Sequence, residues 1–171
     1  MKKALLVIDM LRDFIEPTGA LYCGKQGETI VSFIKEKIEE FLAENAEVLY
    51  ICDKHSEDDL EFKRFPKHCI NGTKGAEIIP ALAFASTANN IIEKKRYGAF
   101  FQTDLAERLA AVEEVTLVGV CTNICVLYTA EELCNRDKKV IVYRNGIASF
   151  DQNAHEFALQ QMESVLGIEV R

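Results

Sequence analysis

Short apolar runs that alternate with segments of helical period constrain this chain more than any other feature. The runs are ALLVI (4–8), EVLYIC (47–52), NIIEK (90–94), VTLVGV (115–120), KVIVY (139–143) and a brief IEV (168–170). Strands that are apolar almost throughout belong to a sheet covered on both faces, and strands alternating with helices are joined in parallel through crossovers. The pattern predicts an α/β fold: a doubly wound, mostly parallel six-stranded sheet with helices on both faces. The helices are expected at about 27–45, 104–112, 123–136 and 154–165. In the first, Ile30, Ile34, Ile38 and Phe41 recur at three- and four-residue steps, the apolar stripe of a helix packed on a sheet. Thr103 or Asp104 is the expected cap of the second, with Glu107 adding favourable charge to its first turn.

With 171 residues and 49% hydrophobic composition, the chain can bury one sizeable core, and residues 1–171 read as a single domain. The opening MKKALLVIDM begins like a secretory leader. Its apolar run is only five residues long before Asp9 and lacks a small-residue cleavage site, so it reads as the first strand. No segment approaches the roughly 20 apolar residues of a membrane span, so no membrane partner is expected. A net charge of -7 and the lack of a Lys/Arg cluster argue against nucleic acid, which leaves a small molecule as the expected partner. Homo-oligomerisation stays open. The six cysteines, at 23, 52, 69, 121, 125 and 134, do not form a disulfide framework in a chain this rich in core residues, and read as reduced thiols of a cytoplasmic protein.

In an open parallel sheet, ligands bind beyond the carboxyl ends of the strands, so the residues just after each strand matter most. Those residues are Asp9 after the first, Asp53 and His55 after the second, Lys94 and Lys95 at the third, and Cys121 and Cys125 after the fourth. Cys125 lies near a helix start, with Thr122 or Asn123 as plausible caps, and free amides there favour a thiolate. Cys121 could serve equally, and spacing alone does not separate the two. Asp9 could take a thiol proton, with a lysine stabilising the thiolate by charge. Cys134, deep in the helix, reads as core.

A second constellation lies in the irregular segment 53–80. Asp53 and His55 are two apart and project to one side of an extended chain, while Glu61 and His68 follow from the loop. Two histidines with one or two carboxylates suit zinc, iron or manganese and leave positions for water or substrate. The third histidine, His155, opens a helix and reads as a surface residue.

In order along the chain, VIDMLRDF (7–14), DKH (53–55), FPKHCINGTKG (65–75), KKRYGAF (94–100), GVCTNICVLYTAEE (119–132) and GIASF (146–150) resemble the isochorismatase-like cysteine hydrolases, and among them the nicotinamidase (pyrazinamidase) subgroup. The resemblance implies Asp9 as general base, Cys125 as nucleophile and Lys94 rather than Lys95 as the charged partner. It implies an oxyanion hole from the amides of Cys121 and Cys125, with a cis peptide before Cys121. It also implies Asp53, His55 and His68 as ligands of a divalent metal, zinc foremost, with Glu61 as a further ligand. The implied reaction is hydrolysis of nicotinamide to nicotinate and ammonia, with Phe14 and Phe65 walling the ring. Rivals are an amidase of N-carbamoyl compounds, which lacks the metal loop, and a non-catalytic small-molecule-binding relative. A phosphoacceptor signalling domain would want paired acids after strand one, where Asp9 is followed by Met10.

Overall fold

A computed structural model describes residues 1–171. Six strands form one sheet: β1 (Lys3–Ile8), β2 (Glu47–Asp53), β3 (Ile91–Lys94), β4 (Glu114–Val120), β5 (Lys139–Ala148) and β6 (Glu169–Val170). Their order is β3-β2-β1-β4-β5-β6, and every neighbouring pair is parallel. The chain winds outward from β1 to β3, then returns to the other side of β1 with β4. The order therefore reverses between β1 and β4, and the carboxyl ends of those two strands flank a crevice.

Strand residues alternate between two cores because successive side chains point to opposite faces. On one face Ala4, Leu6 and Ile8 of β1 pack with Ala130 and Leu133 of α5 (Leu127–Cys134) and Leu159 and Met162 of α6 (Gln152–Ser164). On the other face Leu5 and Val7 pack with Phe14 and Ile15 of α1 (Arg12–Ile15) and Ile34, Ile38 and Phe41 of α3 (Val31–Ala43). The doubly wound arrangement follows from this alternation. No helix is long and apolar enough to cross a membrane.

Several boundaries differ from the sequence reading. The expected helix 27–45 is two helices, α2 (Lys25–Thr29) and α3, separated at Ile30. The apolar stripe starts only at Ile30, and Gly27 of α2 approaches so closely that a Cβ there would lie 3.1 Å from Cys23 Cβ. The expected helix 104–112 shrinks to α4 (Leu105–Arg108). Beyond it the chain tightens into three-residue turns, and Lys138 Nζ donates to the Leu109 and Val112 carbonyls at 2.9 and 2.6 Å. Asp104 precedes α4 but makes no capping bond, and the longer bond to Leu105 N–H is accepted by Thr103 Oγ1 at 3.4 Å. β5 runs five residues past Tyr143 through a register irregularity opposite Leu117 and Gly119.

The end of β4 is held by close backbone packing. Gly119 has φ +120°, and a Cβ there would lie 2.0 Å from the Ile8 carbonyl oxygen. The following Val120–Cys121 peptide is cis, as the resemblance implies.

Candidate active site

Asp9 leaves β1 with φ +51°, a left-handed conformation uncommon for a residue with a side chain. Its N–H still pairs with the Ile51 carbonyl at 2.8 Å, so the carboxylate is anchored to the sheet edge. Oδ1 accepts from the Asp53 N–H at 2.8 Å, and Oδ2 lies 2.9 Å from Lys94 Nζ as an ion pair. Lys94 ends β3 and is 1% exposed. Its ammonium also contacts Asp53 Oδ1 and donates to Cys125 Sγ at 3.5 Å. Asp9, Lys94 and Cys125, from three strand ends, therefore meet at one buried point.

The electrostatics of this point follow from burial and from one cation among acids. Burial favours a neutral Lys94, yet Asp53 and Asp9 outweigh it and hold the amine charged, well above its ordinary range. Burial, then the Asp53 charge, raises Asp9 to about 6, with Lys94 opposing. Burial pushes the Cys125 thiol well above its ordinary value, again with Lys94 opposing. The resting pair is thus a carboxylate beside a protonated thiol. That is the arrangement in which a neighbouring carboxylate can take the thiol proton before sulfur attacks.

The helix start around Cys125 is wider than the sequence implies. Residues 122–126 form a π-type turn in which Val126 N–H reaches the Cys121 carbonyl at 3.2 Å, with Ile124 N–H on the same oxygen at 3.0 Å. Neither expected cap performs that role. Thr122 Oγ1 lies 2.8 Å from His155 Nδ1, and Asn123 Oδ1 accepts from Ser149 Oγ at 2.6 Å. His155 is accordingly buried at 8% exposure, which corrects its reading as a surface residue. It faces inward because it lies on the buried stripe of α6 with Ala158, Leu159 and Met162. All six cysteines are unbonded. Cys121 lies 4.0 Å, sulfur to sulfur, from Cys23, and Cys134 packs against the core only half-buried.

Beside the triad lie the four residues of the second constellation. Asp53 Oδ2 is 3.6 Å from His55 Nε2 and 3.7 Å from His68 Nε2, and Glu61 Oε1 is 4.0 Å from His68 Nε2. All four are buried. His55 Nδ1 lies 3.1 Å from the Asp59 carboxylate and His68 Nδ1 lies 2.7 Å from the Pro66 carbonyl, so each Nδ1 carries the proton and each Nε2 presents a lone pair. His55 Nε2 and Glu61 Oε2 have no hydrogen-bond partner despite being buried. Asp53, His55 and His68 each bring a ligand atom within 4.8 Å of the others, lone pairs that a divalent cation would satisfy, while Glu61 lies beside this group through His68. Asp53 belongs to both clusters, one oxygen toward Lys94 and the other toward the histidines. Burial pushes its carboxyl up, but the Lys94 charge opposes this and holds it well below the usual range.

Both clusters contribute residues to one narrow cavity, with Asp9 and Cys125 from the first and Asp53, Glu61 and His68 from the second. Phe14 and Phe65 line it, as expected. So do Leu21, Tyr97, Ile124 and Phe150, which the sequence reading missed. Phe150 lies two residues beyond the end of β5, but ending that strand at 143 hid its position near a strand end. Tyr97 lies three residues beyond Lys94 and stacks edge-on to Phe65, with ring centroids 6.3 Å apart. Polar groups lie at the floor and aromatic and aliphatic groups at the walls. The space suits a small, flat, uncharged molecule with one polar reacting group.

The chain is similar to known proteins along nearly its whole length. The Isochorismatase domain model matches residues 3–170. The crystal structure of nicotinamidase/pyrazinamidase PncA from Bacillus subtilis superposes with a TM-score of 0.93 at 36% identity, covering 99% of both chains. Pyrazinamidase of Pyrococcus horikoshii in complex with zinc gives 0.90 at 31% identity, over 100% of this chain and 99% of that one. N-carbamoylsarcosine amidase from Thermoplasma acidophilum gives 0.88 at 30% identity, over 100% and 96%. With a family model spanning nearly its whole length and relatives that share the same fold end to end, the chain belongs to the isochorismatase family.

Proposed function

We propose that this chain is a single-domain, metal-dependent cysteine amidohydrolase that converts nicotinamide to nicotinate and ammonia. One observation carries the reading: Lys94 Nζ bridges Asp9 and Cys125, at 2.9 and 3.5 Å, beside two buried histidines, of which His68 lines the same cavity as Asp9 and Cys125. In this reading Asp9 removes the Cys125 proton, and the sulfur adds to the amide carbon. Lys94 stabilises the thiolate as it forms. The N–H groups of Cys121 and Cys125 hold the oxyanion, and losing one such donor typically costs roughly 10²–10³ in rate. Asp9 returns the proton to the leaving nitrogen, the carbon–nitrogen bond breaks and ammonia departs. It then takes a proton from water, whose oxygen adds to the thioester, and collapse frees nicotinate and the thiol.

A divalent metal held by Asp53, His55, Glu61 and His68 would supply a Lewis acid that anchors and orients the ring nitrogen. Zinc is the first choice, with iron or manganese as alternatives, because the donors are imidazole and carboxylate. The zinc complex of the Pyrococcus relative supports that order. Phe14 and Phe65 would wall the ring. Six unbonded cysteines support a cytoplasmic protein, where the reaction would serve NAD salvage.

Ammonia release from nicotinamide, with and without a chelator, tests the reading. Turnover that chelation removes and zinc restores is expected. Zinc-loaded protein inactive on nicotinamide but active on an N-carbamoyl amine would transfer the assignment to the amidase of the Thermoplasma type.

A further inference from the structure

We infer that Asp59, backed by Arg96, is a positioning residue for the metal centre. It offers no ligand itself but fixes two of the groups that do. The inference rests on the ligand set proposed above and adds a residue to it.

Asp59 opens the short helical turn Leu60–Lys63, and its side chain is 5% exposed. Every lone pair that the structure engages on it points at the metal loop or at Arg96. Oδ2 accepts from His55 Nδ1 at 3.1 Å, and Oδ1 accepts from the Glu61 N–H at 2.9 Å. Arg96 donates from one guanidinium nitrogen to Oδ1 and Oδ2 at 3.1 and 3.2 Å. One carboxylate therefore sets the tautomer and rotation of the His55 ring while pinning the backbone that carries Glu61. These two residues own the only unpartnered buried atoms of the cluster, His55 Nε2 and Glu61 Oε2. The guanidinium comes from the segment just after β3, the strand that carries Lys94, so the loop is tied to the sheet edge of the triad. Carboxylates that accept from the far nitrogen of a ligating histidine orient the ring and raise its basicity. Without Asp59, nothing else in the structure holds His55 Nδ1.

The test measures zinc affinity by competition with a chromogenic chelator, in parent, Asp59→Ala, Asp59→Asn and Arg96→Met proteins. Asp59→Ala is expected to weaken zinc binding by roughly 10–100-fold, and to change the visible absorption of the cobalt-substituted protein. Asparagine has one acceptor oxygen in place of two, so Asp59→Asn should fall between alanine and parent. Arg96→Met should weaken binding less than Asp59→Ala, because both acceptors survive. The rate at which iodoacetamide alkylates Cys125 in metal-free protein should stay unchanged, which reports an intact neighbouring site. Should Asp59→Ala fail to fold, the asparagine variant carries the comparison. Zinc affinity within about twofold of parent in Asp59→Asn and Asp59→Ala would overturn the inference, since loss of such a partner typically costs 10-fold or more. A parent that binds no zinc, or binds it undiminished after His55→Ala and His68→Ala, removes the ligand set and the inference together. A parent that binds zinc through those histidines yet leaves nicotinamide intact removes the substrate and leaves Asp59 its role.

Discussion

Lys94 is a buried ammonium whose two carboxylate partners come from different strands, Asp9 beyond β1 and Asp53 at the end of β2. Removing one partner of such a group leaves charge buried and unpaired, at a typical cost of about 3–5 kcal/mol. Lys94→Met should therefore lower unfolding free energy by roughly that amount in urea titrations and slow alkylation of Cys125; an unchanged midpoint would contradict the pairing. These residues were legible because chemistry at a strand end stands out from an apolar run. His155 was not legible, since its partner Thr122 lies 33 residues away and Ser or Thr at a helix start ordinarily caps that helix. Burial holds the His155 imidazole below its ordinary 6.5, so folding favours its neutral form. The stability it contributes is present above pH 6.5 and is lost as pH falls below that value. His155→Gln, which can still bond Thr122, should show a shallower drop in melting temperature from pH 7 to 5 than the parent, and equal slopes would remove this role.

At the scale of elements, all six strands and the winding of the helices followed from period alone, because burial on two faces writes a strand as a near-continuous apolar run. Helix ends were less legible. The end of α4 is taken over by Lys138, whose ammonium satisfies carbonyls from outside the helix, and the start of α5 is widened into the turn from Cys121. At α4 a distant side chain outcompetes the local signal, and at α5 the carbonyl of Cys121 does so by accepting from two amides. The end of β4 has a local cause, the contact between Gly119 and Ile8. Gly119→Ala would combine a positive φ with a Cβ 2.0 Å from a carbonyl oxygen. Backbone conformations of that kind cost of order 1–3 kcal/mol before any clash is counted, so chemical denaturation should show a loss of at least about 1 kcal/mol. It should also reduce turnover more than stability alone explains, since the same backbone leads into Cys121. A variant as stable and active as the parent would show that the approach is not needed.

Across the whole molecule, the reversal of strand order between β1 and β4 brings Asp9 and Cys125 together, while β2 and β3 add Asp53 and Lys94 from the adjoining edge. The meeting of Asp9 with Lys94 and Cys125, 85 and 116 positions further along the chain, is a consequence of winding, which the sequence pattern implied, whereas the cavity walls depend on loops that it did not. Tyr97, Phe150 and Leu21 reach the cavity from three such loops. In the proposed mechanism Cys125 forms a covalent bond to the acyl group after Asp9 takes its proton. The most direct measurement is acid-quenched turnover of nicotinamide followed by peptide mass spectrometry. A nicotinoyl adduct on the peptide containing Cys125, absent in Cys125→Ala and depleted in Asp9→Asn, is expected. Nicotinate formed at the parental rate by Cys125→Ala protein would contradict it.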